Sequence, residues 1–439
     1  MKKVQPKILS GFMELLPEDQ ILFNKLYDTI RGVYESFGFL PLDTPTIEYS
    51  EILLAKAGGE TEKQIYRFNK GDNDLSLRFD LTVPLARYVA LHYPYLTFPF
   101  KRYQMSKVFR GERPQKGRFR EFYQCDIDVI GNEYLPLEYD AEIPAIIYNI
   151  FKKLDFGKFV IRINNRKILN GFFKDLDLLE QASDILRIID KIDKIGKDNV
   201  KLELIDMNID TTKIDKIMEF ISIKGSNSDI INSLKNNGIK DDIYMSGVSE
   251  LECVINLLKH YIKEESYYQI DLTIARGLDY YTGTVYETNL IDYPNLGSVC
   301  SGGRYENLTD YYTSQSLPGI GISIGLTRLF SQLKEVGLIS SDKKCLIDAL
   351  IVPLDEDSID YVIKVADLLR TNDIKTDIYY GSKGMKQKMK YADKLGVDYA
   401  VVIGSNEIEQ NKVSLKNMKT GEQENILLSE LVNKIKESK

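Results

Sequence analysis

The stretch VFRGERPQKGRFREFYQCDIDVIG, residues 108–131, decides the fold of this chain. Two strand-like segments flank a loop that carries Pro114 and Gly117, which predicts an antiparallel hairpin. Side chains two residues apart share one face of a strand, so Phe122, Gln124, Asp126 and Asp128 alternate to the same side. The hairpin therefore predicts a pocket, or its mouth, lined by Arg110, Glu112, Phe122, Gln124 and Asp128.

The same region concentrates positive charge in a chain that is acidic as a whole. The 439 residues carry a net charge of −7, yet residues 101–120 hold eight basic residues against one acid, Glu112. Such a local excess predicts an anionic ligand. Arginine suits phosphate because its planar fork donates two hydrogen bonds and keeps its charge. The alternative, a salt-bridged surface hairpin, is disfavoured by the shortage of acids.

Length and composition predict a globular protein of about two to four domains. Hydrophobic residues make up 43% and charged residues 28% of the chain, as is usual for soluble proteins. No long apolar run predicts a membrane span, and no signal-peptide pattern opens the chain. The four cysteines form no CxxC pair, so a cytoplasmic location is expected.

Changes in residue pattern divide the chain into segments. Apolar residues recur at helical spacing at Ile185, Ile188, Ile189 and Ile192, and again at Leu251, Val254, Ile255 and Leu258. The predicted segments are a mixed first part (1–172), a helical insertion (173–262), a second strand-rich part (263–332), a linker (333–344) and a small α/β unit (345–439).

Several common sites are not indicated. The chain has no GxxxxGK[ST] phosphate-binding loop, and GIGISIG has the wrong glycine spacing for a dinucleotide site. With only His92 and His260, histidine-based metal clusters and Ser/His/Asp triads are disfavoured.

Two further positions suggest ligand contacts, each with a structural alternative. Arg328 follows a strand and opens a predicted helix, where its charge would add to the helix N-terminus, although an exposed helix arginine is as plausible. Asp80, in LRFDLTVP, either holds an amine or caps the helix that follows.

Taken in order, the extended segment with Pro45, the FRGER…RFREF hairpin and GIGISIGLTR resemble motifs 1, 2 and 3 of the class II aminoacyl-tRNA synthetases. ARGLDYYTGTVYE (275–287) and SGGRYENL (301–308) resemble the two signature peptides of the histidyl-tRNA synthetases, and the resemblance spans residues 8–435. It implies an α+β catalytic domain with a mainly antiparallel sheet, a helical insertion and a C-terminal α/β anticodon-binding domain.

The resemblance also implies a reaction. The enzyme would activate L-histidine with ATP to histidyl-adenylate and pyrophosphate, and then transfer histidine to the 3′ end of its tRNA. Arg276 and Arg110 would be catalytic, at the α-phosphate. The implied histidine-binding residues are Asp80, Leu81, Thr82, Arg110, Gln124, Asp128, Arg276, Tyr280, Tyr281 and Tyr305.

For ATP, the resemblance implies contacts from Arg110, Glu112, Arg118, Phe122 and Arg328, with Phe122 and Arg328 on the two faces of the base. Mg²⁺ would accompany ATP, and no protein ligand is assigned to it. The implied tRNA contacts are Arg113, Gln115, Lys116, Lys386, Lys390 and Lys416. Motif 1 implies a homodimer. The sequence departs from the family pattern at Glu14 and Thr327, where an aspartate and an acid are usual.

Two other functions stay open at this point. One is a regulatory paralogue that serves as a subunit of ATP phosphoribosyltransferase, and the other is an RNA-binding module with an inactive pocket. The first usually lacks both the anticodon domain and the signature residues. ATP turnover would separate the second from an active enzyme.

Overall fold

A computed structural model describes residues 3–55, 60–113, 117–189, 191–274, 281–306, 308–355 and 358–437. The chain forms two compact units. The larger contains residues up to 13 together with 26–338, and the smaller contains residues 14–25 together with those from 339 onwards. Within the described residues, no helix is both long and apolar enough to cross a membrane.

Strands in the larger unit fall into two sheets. Their bounds are β1 (Leu40–Pro41), β2 (Ile47–Tyr49), β3 (Arg67–Lys70), β4 (Asn73–Leu77), β5 (Phe100–Phe109), β6 (Glu121–Ile130), β7 (Phe159–Asn165), β8 (Tyr268–Ile270), β9 (Thr284–Leu290), β10 (Ser298–Tyr305) and β11 (Gly319–Gly325). The main sheet has the order β1-β5-β6-β11-β10-β9-β7-β8, and a three-stranded sheet has the order β2-β4-β3.

The main sheet is antiparallel except at its edges, where β1 pairs with β5 and β8 pairs with β7 in parallel. Its centre contains the predicted hairpin: β5 and β6 pair over their whole length, from Phe100 opposite Ile130 to Phe109 opposite Glu121. The short edge strand β1 ends at Pro41. Proline has no backbone N–H to donate to a second neighbouring strand, so it is tolerated at the edge of a sheet. The predicted fold class is confirmed.

In the described part of the chain, six α-helices begin before the predicted insertion. Their bounds are α1 (Pro17–Ser36), α2 (Ser50–Leu54), α3 (Glu60–Gln64), α4 (Thr82–His92), α5 (Glu138–Leu154) and α6 (Arg166–Asp175). Helix α6 follows β7 directly, and Asn165 caps it by accepting a hydrogen bond from the backbone N–H of Lys167. The chain therefore changes from strand to helix at Asn165.

The predicted insertion is helical. It contains α7 (Ala182–Ile189), α8 (Ile192–Ile195), α9 (Lys197–Asp206), α10 (Thr211–Phe220), α11 (Asn227–Asn236) and α12 (Asp242–Tyr261). The stripe Leu251, Val254, Ile255 and Leu258 is buried along α12 as predicted. The other stripe is divided between two helices, because Ile192 begins α8 whereas the three isoleucines before it belong to α7.

After β11 the chain enters α13 (Leu326–Glu335), which is the helix predicted to carry Arg328 after a strand. The smaller unit then contains β12 (Ala349–Pro353), α14 (Ile359–Thr371), β13 (Thr376–Ile378), α15 (Met385–Leu395), β14 (Tyr399–Ile403), α16 (Ser405–Glu409), β15 (Lys412–Asn417), β16 (Gln423–Leu427) and α17 (Leu428–Glu437).

The smaller unit is the expected α/β layer structure. Its sheet has the order β13-β12-β14-β15-β16, with β12, β13 and β14 parallel and the last two strands antiparallel. One face, with Ile351 and Val401, packs against α14 and α17. The other face, with Leu350 and Val402, packs against α15 through Ala392. Burial on both faces explains why these strands read as continuous apolar runs.

Candidate functional site

The polar residues of the predicted hairpin all lie on one face of the main sheet. Along β6, Cys125, Ile127 and Val129 are completely buried on the opposite face, which is the apolar one. Helix α5 covers that apolar face, where Tyr286 donates a hydrogen bond to the carbonyl of Asp140. The alternation of a strand therefore separates a core face from a site face.

Pairing in register extends the site face across neighbouring strands. Asp126 lies opposite Ser323 and Asp128 opposite Gly321, both on β11. On β10, Gly303 and Tyr305 lie opposite Gly321 and Gly319. Residues directly opposite each other in an antiparallel pair point to the same side. The site is thus assembled from strands far apart in the sequence.

Asp128 is held by two buried partners. Arg102 on β5 places Nη2 2.6 Å from Asp128 Oδ2, and the phenol of Tyr305 donates to Asp128 Oδ1 at 2.8 Å. Burial raises the pKa of Asp128 to about 6, although Arg102 and the hydrogen bond from Tyr305 both lower it. Each oxygen of Asp128 therefore already accepts a bond, whereas Nε and Nη1 of Arg102 are buried without a hydrogen-bond partner among the described residues.

Bare backbone forms the floor beside Asp128, because glycines occupy the neighbouring site-face positions. A Cβ on Gly321 would collide with Asp128 Oδ1 and the carbonyl of Ile127, and one on Gly319 would collide with the ring of Tyr305. A Cβ on Gly303 would lie within 3.0 Å of the Tyr281 ring. Side chains are excluded here so that the aromatic rings can cross the sheet.

Gly302 lies on the opposite face of β10, and a Cβ there would collide with the backbone of β11. Its role in the structure is therefore strand packing.

A small cavity of about 30 Å³ lies on this floor. Four predicted histidine-binding residues line it, Thr82, Asp128, Tyr281 and Tyr305, together with four others, Asp126, Gly321, Ile322 and Ser323. Burial raises the pKa of the Tyr281 phenol, and nearby Asp128 and Asp126 raise it further. Tyr281 and Tyr305 are therefore neutral hydroxyls that can donate or accept.

Asp126 is the residue that the prediction missed. It was recognised in the alternation with Gln124 and Asp128 but was not placed in the pocket. Its side chain is 3% exposed, and burial raises its pKa to about 7 against the opposing effects of Arg102 and Ser323. The period-two pattern was the available signal, since it puts Asp126 on the same face as its two neighbours.

Asp80 lies where α4 begins, near this cavity. Its Oδ1 accepts hydrogen bonds from the backbone N–H groups of Thr82 at 3.1 Å and Val83 at 2.9 Å. It therefore caps the helix, which was one of its two predicted roles, while Oδ2 has no hydrogen-bond partner among the described residues. Leu81 is completely buried, and its carbonyl accepts a hydrogen bond from Arg102 at 3.4 Å.

A larger cavity of about 440 Å³ lies on the same face. All five predicted ATP-binding residues line it, together with Gln124: Arg110, Glu112, Arg118, Phe122 and Arg328. Asp128 was expected in the same pocket but lines the smaller cavity. The two cavities adjoin at Ser323, which lines both. Asp128 lies six residues beyond Phe122, or about 20 Å along an extended strand, and therefore faces the smaller cavity.

Arg110 is the most constrained cation of the larger cavity. Its Nε donates to the carbonyl of Phe79 at 3.2 Å, and its guanidinium lies 4.4 Å from the Phe79 ring centre and 5.1 Å from that of Phe122. Burial lowers the pKa of Arg110, but Asp80 and Glu112 raise it. Arginine keeps its charge at such a site, so this cavity offers a fixed positive group.

Arg328 approaches the cavity from the first turn of α13. Its Nη2 donates to the carbonyl of Leu296 at 3.1 Å, and the residue is exposed. The preceding Thr327, where an acid is usual in the resembled motif, is buried and accepts a hydrogen bond from the backbone N–H of Tyr123 at 2.8 Å. A threonine at this position thus joins α13 to β6.

Some predicted residues lie outside the described part of the chain. These are Arg276 and Tyr280 of the first signature peptide, with Gly277, and Gln115 and Lys116 of the hairpin loop. Beside that loop, Arg113 and Arg118 are exposed, and Arg118 lies 3.5 Å from Glu112.

In the smaller unit, Lys386 and Lys390 are exposed one turn apart on α15, followed at the same spacing by exposed Lys394. Lys388, on the same helix, is buried and donates to the carbonyl of Pro353 at 2.5 Å. Lys416 lies half-buried on β15. The helix therefore presents a row of positive charge from which Lys388 is excluded.

Comparison with known proteins adds an independent line of evidence. The profile of the histidyl-tRNA synthetase family matches residues 11–329, and that of the anticodon binding domain matches residues 348–438. The chain is 60% identical over 439 residues to the histidine–tRNA ligase of Clostridium tetani, covering 99% of this chain and 100% of that protein. It is 47% identical to the ligase of Finegoldia magna, with 99% and 100% coverage.

Solved structures agree. The crystal structure of histidyl-tRNA synthetase from Nostoc sp. PCC 7120 superposes with a TM-score of 0.93 at 42% identity, covering all of both chains. A Bacillus halodurans structure, described as an ATP phosphoribosyltransferase regulatory subunit/histidyl-tRNA synthetase, has a TM-score of 0.77 at 20% identity and covers 92% of this chain and 100% of that chain. The second likeness shows the shared fold alone.

Proposed function

The chain belongs to the histidyl-tRNA synthetase family, and we infer from this premise how its two cavities divide the work of a histidine–tRNA ligase. The enzyme activates histidine with ATP, releases pyrophosphate and transfers histidine to tRNA. One observation carries the division: the larger cavity is lined by arginines and an aromatic ring, while the smaller one is lined by carboxylates and tyrosines.

The larger cavity suits ATP. Phe122 offers a ring face for the base, and Arg328 offers a cation on the opposite side. Arg118 and Arg110 supply charge for the phosphates, with Arg110 close to the smaller cavity through its interaction with Asp80. Glu112 would meet the adenine edge.

The smaller cavity suits histidine. Its side chain needs hydrogen-bond partners at both ring nitrogens, and phenols and carboxylates supply them. Tyr281, Tyr305 and Asp128 would surround the ring. Asp80 would take the α-ammonium group with its second oxygen while the first caps α4, and Gln124 would lie between the two cavities. Arg276 and Tyr280 are proposed for the same site on the family resemblance.

Adenylation requires little covalent chemistry from the protein. The histidine carboxylate attacks the α-phosphorus, the bond to the β-phosphate oxygen breaks, and pyrophosphate leaves. Arg110 and Arg276 would neutralise the charge that grows on the α-phosphate, which is catalysis by positioning and electrostatics.

Mg²⁺ is proposed to arrive with ATP, held by phosphate oxygens as it commonly is. In the described ranges no group of three or more histidine, cysteine or acidic side chains could hold a metal ion. A dedicated protein site for Mg²⁺ is therefore not part of the proposal.

Binding of tRNA is proposed to use both units. The row of lysines on α15, Lys386 and Lys390 first, with Lys416, would meet the anticodon end, and Arg113, Gln115 and Lys116 the acceptor end. We also propose a homodimer, supported by the motif 1 resemblance and by exposed Leu40, Ile47 and Tyr49 in that region. A cytoplasmic location rests on the cysteine pattern alone.

The division proposed for the chain keeps the segments of the sequence analysis. Residues 1–172 and 263–332 would form the catalytic domain, 173–262 the insertion, 333–344 the linker and 345–439 the anticodon-binding domain. The regulatory paralogue finds no support, because near-full-length relatives are named ligases and the anticodon profile is matched.

Pyrophosphate exchange into ATP, tested with each of the twenty amino acids without tRNA, examines the proposal. We expect exchange with histidine alone. Arg276→Ala should lower that exchange at least about 100-fold, the usual loss for one preorganised donor, with an unchanged circular dichroism spectrum. Near-normal exchange by this variant would overturn the role proposed for Arg276. Exchange with no amino acid, by the folded parent protein, would overturn the division of the cavities.

A further inference from the structure

Asp126 is a buried carboxyl on the site face to which the proposed function gives no role. Its Oδ1 is buried and has no hydrogen-bond partner among the described residues. A buried acceptor left without a donor is costly, so native structures rarely keep one without reason. The residue lines the smaller cavity, together with Tyr281 and Tyr305.

Two neighbours of Asp126 on the site face, Asp128 and Ser323, already take part in hydrogen bonds. Asp128 accepts from Arg102 and Tyr305, one bond on each oxygen. The hydroxyl oxygen of Ser323 accepts a hydrogen bond from Gln124 Nε2 at 2.9 Å. The Ser323 hydroxyl can therefore donate its hydrogen to Asp126, and the bond from Ser323 lowers the pKa of the Asp126 carboxyl. Asp126 Oδ1 and Gln124 Oε1 are both buried oxygens that lack a donor among the described residues. Gln124 lines the larger cavity, so Asp126 is the one that faces the smaller cavity.

Position along β6 indicates which donor a substrate would bring. Gln124 lines the larger cavity, and Asp126 lies two residues further on, about 7 Å away from it along the strand. Histidine that turns its carboxylate towards ATP must turn its ring in the other direction. The ring therefore reaches the level of Asp126, while the ammonium group stays nearer Asp80.

We propose that Asp126 is a substrate-specificity residue whose carboxylate accepts a hydrogen bond from the imidazole N–H of histidine. This inference rests on the proposed assignment of the smaller cavity to histidine. The bond satisfies an acceptor that is otherwise orphaned, and a ring without an N–H at that position leaves it orphaned again. Asp126 would thus reject apolar rings of similar size, because they would bury the carboxylate without a partner.

Calorimetric titration of Asp126→Asn tests the proposal. The asparagine amide turns an N–H₂ donor towards the ring if Ser323 keeps the amide oxygen, so donor would face donor. We expect the Kd for histidine to rise roughly 10- to 100-fold, as for one unsatisfied buried group. The Kd for ATP should stay at the parent value. Asp72→Asn, an exposed aspartate in the same unit, is the matched control and should bind both ligands like the parent.

A second ligand identifies the contact. 3-(Imidazol-4-yl)propionate keeps the ring but lacks the ammonium group, so its Kd should rise by the same factor as that of histidine. An unchanged Kd for histidine would overturn the proposal, as would a rise confined to histidine, which would place the contact at the ammonium group. If Asp126→Asn does not fold, Asp126→Ala serves in the same comparison.

Failure of this inference can be told apart from failure of the proposed function. If the parent protein shows histidine-dependent pyrophosphate exchange and Asp126→Asn binds histidine with the parent Kd, only the role of Asp126 is refuted. Absence of histidine binding by the parent sinks both.

Discussion

The same substitution, Asp126→Asn, is expected to stabilise the folded catalytic unit at alkaline pH while it weakens histidine binding. Burial raises the pKa of Asp126 from its ordinary value of 3.8 to about 7, and Arg102 and Ser323 only partly oppose this. The folded state therefore binds more protons than the unfolded state between these two pH values. The stability that the protonated Asp126 carboxyl contributes is fully present below pH 3.8 and is lost as the pH rises through 7.

The size of the effect follows from the two pKa values. Ionising the buried carboxyl costs about 4 kcal/mol at pH 8.5 and about 1.5 kcal/mol at pH 5, at 1.36 kcal/mol per pKa unit. Asparagine escapes this cost but buries an amide donor that lacks a partner, which costs about 1 kcal/mol. Asp126→Asn should then be about 3 kcal/mol more stable than the parent at pH 8.5 and nearly equal to it at pH 5.

Urea unfolding followed by far-ultraviolet circular dichroism, at pH values from 5 to 8.5, measures this difference. Subtracting the parent at each pH cancels most titrations that the two proteins share. Because the chain has two compact units, each unit can unfold in its own transition. Hydrogen exchange of peptides from β6 and β11 should identify the transition in which the catalytic sheet unfolds. Asp72→Asn controls for the loss of one negative charge and should stay within about 0.5 kcal/mol of the parent throughout.

Two results would refute the reasoning. One is equal stability of Asp126→Asn and the parent at pH 8.5, which would mean that ionised Asp126 is well solvated or paired in the folded state. The other is a difference that does not change with pH, which would show that packing and not ionisation is responsible.

Three other predictions concern the neighbours of this residue and the second unit. Tyr305→Phe removes the hydroxyl that donates to Asp128, so it should raise the pKa of that carboxyl and destabilise the fold by about 1–3 kcal/mol. It should also raise the KM for histidine but not for ATP, and an unchanged KM for histidine would contradict this prediction. Gly321→Ala should lower the free energy of unfolding in urea by about 1–3 kcal/mol and abolish histidine binding, because its Cβ would collide with Asp128. Gly32→Ala is the control: open space surrounds Gly32, so this variant should not be destabilised. Replacing Lys386 and Lys390 by alanine should weaken tRNA binding and leave pyrophosphate exchange unchanged. The slope of log K against log salt concentration should fall in magnitude by roughly 0.7–0.9 for each lost phosphate contact. Filter binding at several salt concentrations measures this slope, and the parent slope would show that α15 does not contact tRNA.

Much of the site could be predicted because its signals are local. Alternation along residues 121–130 fixes which side chains share a face, and the loop at Pro114 and Gly117 fixes the hairpin that brings Arg110 near Phe122. The same locality explains why the helix that carries Arg328 could be predicted directly after a strand.

The arrangement around Asp128 could not be derived in this way. Arg102, Tyr305 and Gly321 come from three strands, and only the pairing of β5, β6, β11 and β10 brings them together. The sequence contains no local sign that Arg102, within a basic segment, is completely buried and not part of an anion-binding surface. Similarly, the helical spacing around Lys388 does not tell which lysine of α15 turns inwards.

By itself, the sequence determined the order of strands and helices in the site, the face on which Gln124, Asp126 and Asp128 lie, and the family to which the chain is similar. These depend on short-range periodicity and on motifs that are contiguous in the chain. Tertiary structure alone decided that Asp128 is satisfied while Asp126 retains an unpaired oxygen. Hydrogen-bond satisfaction depends on how partners from distant strands meet in register, and burial then sets the cost of every acceptor that is left without a donor.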